Sequence, residues 1–322
     1  MGSLARDGRP PLRLGLALGG PADAASWRTT AALAEWADAA GFDSLWLPEG
    51  HLRAGATSAP LVALAAIAAR TRRLRLGTTS LLLSIHAPAR VAADVAALDQ
   101  LSSGRVILGV GRGFEPAMFQ AFGVDPRDKR DRFDDALDAV LAAWRGRDAD
   151  AAPSIRPHQS PHPPIWVAAF GPKGLAQAAR RGLPYLASPL ESFDAIAKNF
   201  ADHAAQLPAG VDVRALAVPV MRTVHVTADA AEAQRVRAAA EAEFATIAAR
   251  ARGAIAARAA GAAADRVLVG EPAAVADAIA AYREAIGMDH LVVRPAPRTS
   301  DAERRASLAR LVEEIAPRFA GA

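Results

Sequence analysis

The chain has 322 residues, a net charge of +4, no cysteine, and a 52% hydrophobic content in which alanine is prominent. Without cysteine there are no disulfides, zinc–thiolate sites, iron–sulfur clusters or thiol nucleophiles. The positive balance comes from arginines spread along the whole chain, not gathered beside stacking aromatics, so it lends no support to a nucleic-acid partner.

Apolar strand-like runs alternate with helical ones from the start. Leu12–Leu18 reads as a strand, too short and glycine-broken for a signal peptide, and Trp27–Ala40 as an amphipathic helix stopped by Gly41. A strand and turn follow in 43-DSLWLPEGHL-52, then a helix over Pro60–Arg70, a strand over Leu74–Leu83, a helix over Ala87–Leu101 and a strand over Arg105–Val110. After the charged turn 125-DPRDKRDRF-133 comes a helix ending near Trp144, and then a Pro-, Asp- and His-rich loop over 146–164. The spacing next gives strand Ile165–Ala169, helix Gly174–Arg181, strand Leu183–Ala187, helix Phe193–Ala205 and strand Val213–Val226. An alanine-rich helical segment then runs on from Asp229. A helix over Val275–Ile286, a strand over His290–Val293 and a helix over Asp301–Phe319 close the chain.

About eight β/α units joined by helices imply a parallel sheet in an α/β protein. With no linker in view, they predict one domain over residues 1–322, a closed (β/α)8 TIM barrel with a helical insertion near residues 229–268. No apolar stretch is long and charge-free enough to cross a membrane, and the expected location is cytoplasmic.

In such a barrel, chemistry collects at the carboxyl ends of the strands. The stretch 109-GVGRGFE-115 is the first candidate. A dinucleotide site needs Gly-x-Gly-x-x-Gly and a following acid, whereas Gly109, Gly111 and Gly113 are spaced Gly-x-Gly-x-Gly. A methyl-donor site would want an acidic strand, which Val106–Leu108 is not. Glycines that merely let a strand turn are the plain alternative. Arg112 speaks for an anionic ligand, since a guanidinium binds phosphate or carboxylate well. In 169-AFGPKG-174 a strand ends, Gly171 and Pro172 turn the chain, and a helix begins at Lys173 with free amides suited to phosphate. Of the seven histidines, His51 and His86 follow strands and are candidates for the mouth. None has metal-ligand spacing, so no metal is expected. Hydrolase and nucleoside-triphosphatase motifs are missing from the sequence.

The run 74-LRLGTTSLLLSIHAPARVAADVAALDQLSSGRVILGVGRGFE-115 resembles the luciferase-like flavin monooxygenases, the superfamily of bacterial luciferase. Its Leu-Asp-x-Leu-Ser-x-Gly-Arg element spans Leu98–Arg105. Supporting matches lie in 41-GFDSLWLPEGHL-52, 163-PPIWVAAFGPKGLAQAARRGLPYLAS-188, 269-VGEPAAVADAI-279 and 287-GMDHLVV-293. The resemblance implies a flavin at the barrel mouth, with Thr78, Thr79 and Ser80 at its ring, where a non-proline cis peptide is usual. It implies flavin contacts from Arg112 and a phosphate-cradling turn from Phe170, Gly171 and Lys173. Glu49 and Phe114 are expected at the substrate, and His51 or His86 as the proton donor or acceptor. The second strand departs from luciferase: Gly50 stands where luciferase has its catalytic histidine, so light emission is not expected.

The implied activity is monooxygenation of a small organic substrate with reduced flavin mononucleotide (FMN) and oxygen. A separate flavin reductase would supply the cofactor, and the chain would form a homodimer. Two rival readings remain: hydride transfer with a deazaflavin coenzyme, and a non-catalytic flavin-binding relative.

Overall fold

The computed structural model describes residues 10–20, 23–52, 56–146, 155–169, 171–250 and 265–320. Its internal contacts divide the chain into two compact units, one of Ala17–Ala39 and Asp43–Ala168, the other of Met1–Leu16, Ala40–Phe42 and Ala169–Ala322. Ten strands are present among the described residues: β1 Arg13–Ala17, β2 Ser44–Leu47, β3 Arg75–Thr78, β4 Leu81–Leu82, β5 Val106–Gly111, β6 Ile165–Ala168, β7 Tyr185–Leu186, β8 Pro219–Val226, β9 Val267–Gly270 and β10 His290–Pro295. Every printed strand pairing is parallel, as the β/α alternation requires.

In the unit containing residues 43–168, β3 lies between β2 and β5, and β5 between β3 and β6. The register pairs Trp46 with Gly77 and Leu76 with Val106. Strand β2, Ser-Leu-Trp-Leu, is buried at all four positions, the unbroken apolar run of a parallel strand covered on both faces. Trp46 dictates the residue beside it. Its indole stacks on Trp166 at 4.8 Å between centroids, and a Cβ on Gly77 would fall 2.2 Å from its ring. Only glycine leaves the indole room.

Helix Pro88–Leu101 ends in the sequence Leu-Ser-Ser-Gly-Arg, where Ser103 (φ 57°) and Gly104 (φ 79°) reverse the chain. Arg105 then donates to the carbonyls of Ala68, Leu74 and Ser102 and to the Thr71 hydroxyl. It thereby fastens the end of helix Pro60–Ala68 to the start of β5. Asp99, fully buried, accepts from the Gln159 amide and side chain at 2.8 Å each. The most diagnostic run of the sequence is therefore a structural clasp.

In the other unit, β10 lies between β1 and β8, and β8 between β10 and β9. Ala187, just after β7, bridges to Val220 of β8. The sequence reading misses β9, only four residues long, and reads 213–218 as strand where a short 3-10 turn, Val213–Ala215, precedes β8. It also misses the short helix Pro116–Ala121 and runs the last helix to Phe319, whereas regular α-helix ends at Arg310. The segment expected as an insertion is partly corrected. Ala230–Arg250 is the crossover helix between β8 and β9, and it buries Val236, Ala240 and Phe244 against Val267 and Val269. Residues 251–264 of that segment lie outside the described residues.

Candidate functional site

The carboxyl ends of β2, β3 and β5 carry most of the residues singled out from the sequence. Strand β2 runs into Pro48-Glu49-Gly50-His51. The Glu49 side chain is fully buried, an expensive place for a carboxylate unless its oxygens are bonded. They are. One oxygen accepts from the Leu82 backbone amide at 2.7 Å. The other accepts from Nε2 of His51 at 2.7 Å and from Nε2 of His86 at 2.8 Å. Burial pushes the Glu49 carboxyl up, but the hydrogen bonds and charge of His86, the Leu82 amide and His51 outweigh it and hold the group below its ordinary value. The structure thus joins two histidines 35 positions apart through an acid the sequence placed at the substrate. The His51 ring also meets the edge of Phe122 at 4.7 Å between centroids.

Strand β3 ends at Thr78, whose hydroxyl donates to the carbonyl of Gly109 at 2.7 Å. The next peptide, Thr79–Ser80, is cis with no proline involved, at the place the resemblance indicates. Thr79 donates its amide to the carbonyl of Leu47, and β4 pairs Leu81 with Val110 and Leu82 with Gly111. The glycines of β5 have their explanation in this segment. A Cβ on Gly109 would lie 1.9 Å from the Thr78 carbonyl oxygen, and one on Gly111 would lie 2.2 Å from the Ser80 hydroxyl. Gly113 sits at φ +74°, with the Met118 methyl 2.7 Å from its would-be Cβ. These glycines allow chain to approach chain, so none of them needs a nucleotide to account for it.

Arg112 follows β5. Among the described residues its guanidinium makes no hydrogen bond. Burial pulls it below its ordinary value, Arg130 adds to the effect and Asp134 opposes it. Lys129 is lowered in the same way by burial, Arg112 and Arg130, and its ammonium lies 5.9 Å from the centroid of Phe119. The three cations thus lie within electrostatic reach of one another, with Asp134 offsetting part of their charge. Sequence reasoning passed over Lys129 and Arg130 because 125-DPRDKRDRF-133 reads as a solvated charged turn. The usable signal was their nearness to the start of helix Lys129–Arg145.

Phe114, expected at the substrate, is 46% exposed beyond Gly113. In the other unit Gly171 (φ 73°) caps helix Pro172–Ala179, with Lys173 exposed in its first turn. Phe170 lies outside the described residues. Among the described residues no group of His, Asp and Glu is arranged to hold a metal, and no helix is long and apolar enough to cross a membrane.

A parallel α/β scaffold thus carries, at its strand ends, a buried carboxylate shared by two histidines and a group of neighbouring cations. A family model described as luciferase-like monooxygenase matches residues 12–290, and the chain belongs to that family. It is similar to 4-hydroxyprotoasukamycin monooxygenase of Streptomyces nodosus subsp. asukaensis, 36% identical over 163 residues, 47% of this chain and 44% of that protein. It is also similar to the oxygenase component of the flavin-dependent trigonelline monooxygenase of Acinetobacter baylyi, 26% identical over 183 residues, 53% of this chain and 51% of that protein. The chain spans about half the length of the curated relatives it matches. Among solved structures, monooxygenase RslO1 of Streptomyces bottropensis is similar at 26% identity with a TM-score of 0.76, over 96% of this chain and all of that one.

Proposed function

We propose that the protein is the oxygenase partner of a two-component flavin monooxygenase, working on a (β/α)8 barrel with reduced FMN and oxygen as co-substrates and a separate flavin reductase as supplier. A homodimer acting in the cytoplasm belongs to the same proposal. The observation that carries the reading is the convergence, at the ends of β2, β3 and β5, of the Glu49–His51–His86 cluster, the Thr79–Ser80 segment and Arg112.

The residues fit the cofactor. Arg112, Lys129 and Arg130 supply the positive charge that an FMN phosphate requires, and Thr79 and Ser80 follow the carboxyl end of β3, where the proposal seats the ring. Bound reduced FMN supplies the two electrons that oxygen activation needs. The chain's own work is to orient the cofactor, exclude water and manage protons. Arg112 fixes the anionic end, Phe114 and Phe122 present apolar surface to an organic substrate, and an imidazole beside Glu49 exchanges a proton with it. In this proposal the phosphate goes to the cations beside β5, and the turn at Gly171 and Lys173, expected from the sequence to cradle it, is assigned no ligand.

Anaerobic titration with photoreduced FMN, followed by oxygen and a panel of organic substrates, tests the reading. Micromolar binding and an oxygenated product support it. Absence of both, or tight binding of a deazaflavin coenzyme in preference to FMN, refutes it.

A further inference from the structure

Both imidazoles at Glu49 use the same ring nitrogen. His51 and His86 each direct Nε2 at one carboxylate oxygen, while the second oxygen is taken by the Leu82 amide. A carboxylate only accepts hydrogen bonds, so both Nε2 atoms must carry protons. Among the described residues neither Nδ1 has a hydrogen-bond partner. The two rings differ in surroundings: the His51 side chain is 10% exposed and packed on Phe122, while that of His86 is 30% exposed.

We propose that Glu49 is a positioning residue that locks both histidines as Nε2–H tautomers, leaving Nδ1 of the more accessible His86 as the atom that takes a proton from the organic substrate. This rests on the proposed function for the substrate but not for the tautomer. In the step, the substrate's bond to hydrogen breaks, the electron pair stays with the substrate, and a new Nδ1–H bond forms on His86. The resulting imidazolium remains 2.8 Å from Glu49, which balances its charge. His51, packed and shared on the same oxygen, steadies the carboxylate. Glu49 is thereby withdrawn from the substrate contact that the sequence suggested.

The variant Glu49→Gln gives a sharp test, because Leu82 N–H is a fixed donor. The amide carbonyl must face Leu82, so the amide NH2 faces both rings and donates one hydrogen to each Nε2. Both imidazoles must then move their proton to Nδ1. Long-range nitrogen–proton NMR of the histidine rings reads this directly in the cofactor-free protein. The expected result, read where the ring signals show both imidazoles neutral, is Nε2–H for both rings in the wild type and Nδ1–H in Glu49→Gln. With its acceptor atom protonated, the variant should lose about 10²–10⁴-fold in kcat, the range for a lost or mis-tautomerised general base.

An Nδ1–H signal from His86 in the wild type, or Nε2–H retained in Glu49→Gln, overturns the proposal. Should Glu49→Gln fail to fold, His51→Asn leaves Glu49 and His86 in place. His86 must then remain Nε2–H, and a changed tautomer overturns the proposal equally. A wild type with the expected tautomers but no flavin chemistry refutes the functional reading alone. A turning-over enzyme with the opposite tautomers refutes this one alone.

Discussion

Gly109→Ala is the substitution with the most clearly calculable outcome. Its Cβ would stand 1.9 Å from the Thr78 carbonyl oxygen and 3.0 Å from the Thr78 carbonyl carbon. Both are backbone atoms of a paired strand, so no rotamer change relieves the clash. Ordinary contact begins near 3.4 Å, and β3 and β5 would have to separate by more than an ångström, breaking the 2.7 Å bond from the Thr78 hydroxyl to the Gly109 carbonyl. Overpacking of a rigid core costs about 1–3 kcal/mol and occasionally more, and the lost buried hydrogen bond adds about 1 kcal/mol. The gain from a stiffer unfolded chain returns only about 0.4–1 kcal/mol. The net expectation is a loss of about 1–4 kcal/mol, read as a lower urea midpoint at unchanged slope. Gly19→Ala is the internal reference, since nothing lies within 4 Å of its would-be Cβ, and it should be neutral or slightly stabilising. Equal midpoints for the two variants would refute the claim that β5 needs glycine for packing.

Other substitutions probe the cations, the clasp and the acid behaviour. Arg112→Met should weaken reduced-FMN binding by about 10–100-fold, the loss of a charge-assisted hydrogen bond of about 1.5–3 kcal/mol. The same change relieves repulsion from Arg130 and Lys129, so the melting temperature of the cofactor-free protein should hold or rise. A parallel fall in both quantities would contradict the assignment. Asp99→Asn turns an amide NH2 toward the donors of Gln159 or Val106 and should cost about 1–3 kcal/mol in urea unfolding. For Asp38, burial raises the carboxyl pKa, but the amides of Arg72, Arg73 and Leu74 and the charge of Arg73 prevail and hold it low. A depressed folded-state pKa stabilises above the unfolded value of 3.8 and loses that contribution as pH falls through the folded value. Urea midpoints from pH 7 down to pH 3 should therefore converge for wild type and Asp38→Asn, and parallel curves would refute it.

The strands were legible because parallel strands are apolar on both faces, so runs such as Leu45–Leu47 and Val106–Leu108 stand out from the alanine-rich helices. Short or mixed elements did not. Strand β9 has four residues, and helix Pro116–Ala121 has barely a turn and a half. At the site, Arg112 and the two histidines were visible as chemistry out of place at strand ends. The role of Glu49 was not, because a carboxylate shared by His51 and His86 is a fact of tertiary distance that no spacing encodes. The Gly-x-Gly-x-Gly run misdirects in the opposite sense. Its pattern suggests a ligand loop, while Gly109 and Gly111 answer to Thr78 and Ser80. The Leu-Asp-x-Leu-Ser-x-Gly-Arg element identified the family, yet Asp99 and Arg105 spend their polar atoms on backbone and side-chain anchors away from any reacting group.

The occupied state of β5 also constrains how this scaffold can be diversified. A library that randomises Gly109 would return mostly destabilised clones, because that position already accommodates the Thr78 backbone. Phe114, 46% exposed, carries no comparable obligation, whereas Phe122 packs against the His51 ring. If the proposed function holds, altered substrate preference should be sought at Phe114, with the glycine stave left untouched.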